Sequence, residues 1–161
     1  MANESAQPPS APGPLLAVRE VTPPGGFRLM ELWDPFEAWL GPFFERDLPP
    51  EEQKAGRREV AFHVDERHLN GNGMAHGGML MTFADAVLGG CAWDANDRRT
   101  CVTLSMQSNF LKPARRGDLV VCRAEVVRCT RSITFVQGAF FVAGEQIFSA
   151  SSLWKVVGGE R

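Results

Sequence analysis

An aspartate stands where the chain otherwise reads as core. Asp85 lies in Met79 to Trp93, an apolar segment whose only other markedly polar member is Thr82. Leaving a carboxylate on a core helix is costly unless it is paired, hydrogen-bonded or protonated, and this segment contains no Lys or Arg to pair with it. On a helical wheel Asp85 shares a stripe with Gly78, Thr82 and Gly89, a small-residue face with room beside it. A carboxylate so placed is a candidate general base or nucleophile. The plainer alternative is an Asp that caps a loop or contacts a neighbouring backbone amide.

The loop HLNGNGMAHGG before this segment adds donors. Gly77 and Gly78 fall where the first amides of a helix have no intrahelical acceptor, and without a Cβ they let a substrate carbonyl approach. The positive end of the helix dipole points the same way, so the pair is an oxyanion site in outline. His76 is a possible ligand or general acid, although a His at a helix start more often holds its loop. Asn70 offers an amide to position a water or a carbonyl, and an Asn before Gly is also an ordinary turn residue. GNGMAH superficially matches a dinucleotide fingerprint, but His76 replaces the last Gly and no parallel βαβ unit surrounds it. His63, His68 and His76 have no familiar metal-ligand spacing, and no metal site is expected.

These residues need a scaffold. Glu59 to Asp65 alternates Val60, Phe62 and Val64 with more polar neighbours and predicts a half-buried strand. Met79 to Trp93, apolar around most of its circumference, predicts a buried helix. The four stretches TCVTLSMQSNFLKP, GDLVVCRAEVVRCT, SITFVQGAFFVAG and EQIFSASSLWKVV are strands by composition, and their short connections predict an antiparallel meander. The expected fold is α+β, a central helix wrapped by a curved five-stranded antiparallel sheet. Residues 1–26 read as a flexible Pro/Gly-rich arm, and 27–161 as a single domain with an N-terminal helical extension over about 34–46. Asp34 and Pro35 start that extension, and Phe36, Trp39, Leu40, Phe43 and Phe44 recur along it as a packing stripe, with Pro42 shortening or kinking the helix.

The chain has 161 residues, with 17 Lys+Arg against 19 Asp+Glu and a formal charge of -2, so nucleic acid is not an expected partner. The amino terminus lacks a signal-peptide pattern and no apolar run is long enough to span a bilayer, so a cytoplasmic chain with no membrane partner is expected. Its four cysteines form no C-x-x-C pair and read as reduced, mostly buried thiols.

The run from His68 to Gly90, HLNGNGMAHGGMLMTFADAVLGG, resembles the N-x-x-G-x-x-H-G-G-x(6)-D signature of hotdog-fold acyl-CoA thioesterases of the phenylacetate-pathway (PaaI-like) family. LKPARRGD resembles that family's strand end and turn, and the likeness covers residues 59–157. The resemblance implies the hotdog fold and no cofactor, the CoA moiety being part of the substrate. It places Asp85 on the family's catalytic carboxylate, general base on water or nucleophile forming a mixed anhydride. Gly77 falls on the amide that polarises the thioester carbonyl, and Asn70 on the side chain that orients carbonyl or water. Thr103, ten residues before Pro113, falls where the family often has a Ser or Thr that holds the attacking water.

It further implies a homo-oligomer, a dimer or dimer of dimers, with the site across the interface. His76 and Gly78 would border the substrate, and Lys112, Arg115 and Arg116 are candidates for its phosphates, as are Arg98, Arg99, Arg128 and Arg131. Two other readings compete with hydrolysis. A hotdog enoyl-CoA hydratase or dehydratase would use His76 with Asp85, and a non-catalytic acyl-CoA binding protein would use the same cavity without turnover.

Overall fold

The computed structural model describes residues 22–32, 34–54 and 56–157. Most of the expected arm, residues 1–21, lies outside them, as do 158–161. In chain order the elements are β1 (Arg28–Leu29), α1 (Pro35–Leu40), β2 (Phe44–Glu45), α2 (Pro50–Lys54), β3 (Arg57–His63), a 3-10 turn (Glu66–His68), α3 (Gly77–Asp94), β4 (Cys101–Phe110), β5 (Leu119–Cys129), β6 (Ile133–Val142) and β7 (Glu145–Val156). All strands join one antiparallel sheet in the order β1-β2-β3-β5-β6-β7-β4.

The α+β class holds, but the sheet has seven strands where five were expected. The additional two are two-residue segments, too short for any alternation to show in the sequence. Phe44 and Glu45 pair with Ala61 and Val60, while Arg28 and Leu29 pair with Glu45 and Phe44, so both lie outside β3. The helical extension expected over 34–46 is likewise shorter. Asp34 caps α1 as its sequence predicts, accepting from the amides of Phe36 and Glu37, yet the helix closes at Leu40 with Gly41 extended. A Cβ at Gly41 would lie 2.8 Å from Leu32 Cδ1, and the next residue, Pro42, has no amide to donate. Phe43 and Phe44 leave the helical stripe and are fully buried.

Nor do the last four strands form a simple meander. β5, β6 and β7 do, while β4 lies beyond β7 at the far edge, because β3 occupies the place beside β5 from Arg57↔Glu125 to His63↔Leu119. Residues 111–118 therefore cross the end of the sheet. Their crossing is fixed by Leu111 and Lys112 amides on the Ile147 carbonyl, by Ala75 N–H to Ala114 O at 2.8 Å, and by Gly117 N–H to Val64 O at 2.9 Å.

α3 fills the concave side. Phe83 is fully buried, with ring-centroid distances of 4.6 Å to Phe62, 5.1 Å to Phe43 and 5.9 Å to Phe140 in edge-on packing. The helix is not enclosed all round, however. A strip carrying Gly78, Met81 and Asp85 stays exposed where the sheet does not close over it. Asp85 thus escapes the burial cost that its sequence context suggested. No helix among the described residues is long and apolar enough to cross a membrane.

Candidate active site

The loop before α3 is built by its own polar groups. Asn70 Oδ1 accepts from the amides of Asn72 at 2.9 Å and Met74 at 3.3 Å, and Asn70 N–H donates to Met74 O at 2.7 Å. The side-chain oxygen is therefore committed to the turn, while the NH₂ has no partner among the described residues and remains a donor. Next along the chain, His76 caps α3. Its Nδ1 accepts from Gly78 N–H at 2.9 Å, so the ring holds the helix start, and its own amide is tied to His68 O at 2.7 Å.

That cap separates the roles of the two glycines. Gly78 has spent its amide on the imidazole, and a Cβ there would stand 3.0 Å from His76 Nδ1. Gly77, the first helical residue, has an amide with no acceptor among the described residues. A Cβ at Gly77 would lie 3.1 Å from Phe110 Cε1, so the ring at the end of β4 seats the loop. Nothing in the sequence marks Phe110 for this role, since only the sheet order brings the end of β4 to the start of α3.

Asp85 is found on the exposed strip of α3, accepting from Thr103 Oγ at 2.8 Å. Thr103 lies beside a bulge in β4, where the pairing with β7 shifts between Thr103 and Ser105. The expected room beside Asp85 is partly taken: an ideal Cβ on Gly89 would fall 2.7 Å from Trp154, whose indole fills that gap. Glu37 of α1 lies near enough to Asp85 to feel its charge. Burial raises the Glu37 carboxyl above the ordinary range, and the charges of Asp34 and Asp85 add to the effect.

Within one chain these groups do not all meet. Gly77 and Asp85 are on one helix eight residues apart, about 12 Å along its axis. His76 is farther still, and no His76–Asp85 contact exists among the described residues. The histidines also stay apart: His63 packs on Phe44, His76 caps α3, and buried His68 bridges Asp65 N–H and the Leu40 carbonyl. Among the phosphate candidates, Lys112 pairs with Glu145 and Arg116 with Glu66 at 2.7 Å, whereas the Arg115 side chain has no carboxylate partner among the described residues. Cys91 and Cys122 are buried, burial pushing the Cys91 thiol up to about 12. Cys101 is half-buried and Cys129 exposed, where mostly buried thiols were expected. A depression of about 610 Å³ lies on the outer face of the sheet, lined by Arg57, Glu59, Arg123, Gln137 and Ser151 among others. Its charged lining does not suit an acyl chain, and Asp85 is not part of it.

Comparison with known proteins gives this geometry a family. A model described as the thioesterase superfamily matches residues 72–148. The Pseudomonas aeruginosa protein named "Putative esterase PA0474" is 33% identical over 131 residues, spanning 80% of this chain and 92% of that one. The chain belongs to the thioesterase superfamily. This thioesterase is an enzyme, a hydrolase acting on thioesters, and its helix within a curved antiparallel sheet is the hotdog fold. A mutant form of the phenylacetic acid degradation protein PaaI from Thermus thermophilus is 28% identical, with a TM-score of 0.65 over 77% of the thioesterase and 100% of that chain. A hypothetical thioesterase of Streptococcus pneumoniae, solved with coenzyme A, shares the fold at 23% identity and a TM-score of 0.65, over 74% of this chain and 88% of that one.

Proposed function

We propose that the protein hydrolyses acyl-CoA thioesters to CoA and a carboxylic acid at a site shared by two copies of the chain. The observation that carries this reading is the Asp85–Thr103 hydrogen bond of 2.8 Å on an exposed strip, together with the unspent Gly77 amide too far along the same helix to serve it. Asp85 and Thr103 come from one protomer, and Asn70 and Gly77 from its partner. Asp85 either takes a proton from a water that Thr103 helps to hold, or itself attacks the thioester carbon to form a mixed anhydride, which water then cleaves to release the acid and restore the carboxylate. In both routes negative charge develops on the carbonyl oxygen. The Gly77 amide and the helix dipole face that charge, the Asn70 NH₂ orients the carbonyl, and the sulfur departs as the CoA thiolate. The chemistry uses water and the chain's own groups, without a cofactor.

The resemblance of the signature loop and the coenzyme A recorded with the Streptococcus pneumoniae protein support acyl-CoA as the thioester class. The hydratase reading loses ground because His76 Nδ1 is occupied as a helix cap. Co-expression tests the shared site. Asp85→Ala and Asn70→Ala chains, each nearly inactive alone, should recover about a quarter of parental thiol release when mixed. With random pairing half the dimers are mixed, and half of their sites carry neither substitution. Activity no higher than the mean of the two homodimers, with mixing confirmed by tag pull-down, would reject it.

A further inference from the structure

A phenyl ring stands where the carbonyl of a substrate would arrive. Phe110 ends β4 opposite Phe148 of β7, and the two ring centroids are 4.9 Å apart. Phe148 is fully buried and lies 4.9 Å from Phe140, which in turn lies 5.9 Å from Phe83 in the middle of the core. Phe110 is thus the last ring of a series rooted in the core, and rings interlocked in this way have little freedom to move aside. The rest of its surface is open, since the residue is 54% exposed. On the α3 side the ring reaches Gly77. Cε1 and Cζ lie 3.1 and 3.3 Å from the place a Cβ would take, closer than the roughly 3.5–4.0 Å of an ordinary carbon contact. In a helix the Cα–Cβ direction tilts toward the N-terminus, and the unspent N–H of the first residue points that way too. Ring and amide therefore border the same space. An oxygen accepting from Gly77 N–H lies beside Phe110, and the carbon that bears it comes next to the ring.

Of the two substituents on a thioester carbon, the arm beyond sulfur is rich in amides and the acyl chain is apolar. The side chains that adjoin the ring and the first turn of α3 suit the second: Phe110 itself, Leu111 beside it at 54% exposure, and Met81 one turn along the helix from Gly77 at 41%. Resting on the acyl-CoA reading, we propose that Phe110 is a specificity-determining residue, the wall that the carbon next to the carbonyl meets, and that it selects straight acyl chains over those branched at that carbon. Phe110 and Gly77 belong to one protomer and Asp85 to its partner, so wall and donor come as one rigid unit and the carboxylate from another chain. A fixed ring at contact distance leaves space for a methylene, while a second substituent on the same carbon meets the ring. The ring also keeps water from the Gly77 amide, which strengthens that donor toward a developing negative charge.

Two pairs of isomers test this. Butyryl-CoA and isobutyryl-CoA are compared in thiol release, and the uncleavable ketones in which a methylene separates sulfur from the same two acyl groups are compared in calorimetry. The parent should favour the straight isomer by about tenfold or more, in kcat/KM and in Kd. Phe110→Ala should bring both ratios to within about twofold of unity. A ring that served only to seat the loop would, when removed, lower both isomers alike and leave the ratios as they were. Phe110→Tyr restores the wall and should restore the ratios. Phe36→Ala, at an exposed ring on α1, is the control and should match the parent. If Phe110→Ala folds poorly, Phe110→Leu takes its place with a smaller change in the same direction. Parental ratios in the Ala and Leu variants, or a parent that turns over both isomers equally, overturn the wall and leave the hydrolase. Discrimination between the ketones by a parent that releases no thiol keeps the wall and removes the proposed reaction.

Discussion

The two edges of the sheet are finished differently. At the β3 edge the chain covers itself: β2 and β1 add two short strands, Phe44 is fully buried, and α1 docks through the Leu40 carbonyl on His68. At the β4 edge no strand among the described residues lies beyond the last one, and Val102, Leu104, Phe110 and Leu111 stand 42–54% exposed. A bare ladder flanked by large apolar side chains invites another strand. The bare edge is also the one that carries Thr103 and, through it, Asp85. Where the fold is self-sufficient it carries no proposed chemistry, and where it is unfinished the proposed catalytic groups are found.

Breaking each edge should have a different consequence. Phe44→Ala, at the covered edge, should lower stability by about 3–5 kcal/mol, read by urea unfolding, with little change in kcat for the folded fraction. A loss below about 1 kcal/mol would mean that β2 is not part of the core. Leu104→Arg, at the bare edge, should do the reverse. Thiol release should fall on the order of 100-fold as the partner's Gly77 amide is lost, while circular dichroism stays native and light scattering reports a single chain. Full activity in a protein shown to be monomeric would end the shared-site reading. Thr103→Val keeps the strand-forming shape and removes the hydroxyl, and should lower kcat by about tenfold with KM little changed. The smallest effect belongs to His68. Burial holds its imidazole below the ordinary value, so the folded state resists a proton that the unfolded chain accepts. Stability is therefore full above about pH 6.5 and declines as the pH falls below it, toward the lowered folded value. The melting temperature should drop between pH 7 and 5.5 by more in the parent than in His68→Gln.

Legibility in the sequence followed the length and regularity of each pattern. The long apolar run showed α3, and the β-branched stretches showed β5 to β7. The covering strands β1 and β2 were hidden because two residues have no period, and Phe43 and Phe44 fell by chance on a helical stripe. The place of β4 was hidden because an eight-residue link says nothing of which edge it reaches. Ion pairs such as Arg116–Glu66 join residues far apart in sequence, so the basic cluster near residue 115 looked more available for phosphates than it is. At the site, Asn70, His76 and Gly77 were legible as a loop with donors, and Thr103 only through resemblance. Its bond to Asp85 depends on the bulge in β4, which no composition announces.

The histidine cap has a consequence for the spacing between the loop's last residue and the helix. Two adjacent glycines offer nearly identical amides, and the imidazole one residue earlier claims one of them. Inserting a single residue between His76 and Gly77 would shift the choice, since the cap would then claim the Gly77 amide and leave the inserted residue's amide in its place. Surface loops ordinarily absorb insertions and deletions with little harm. This one behaves as a ruler: its spacing, counted in whole residues, decides which N–H faces outward, and a change of one unit is as disabling as the loss of a side chain.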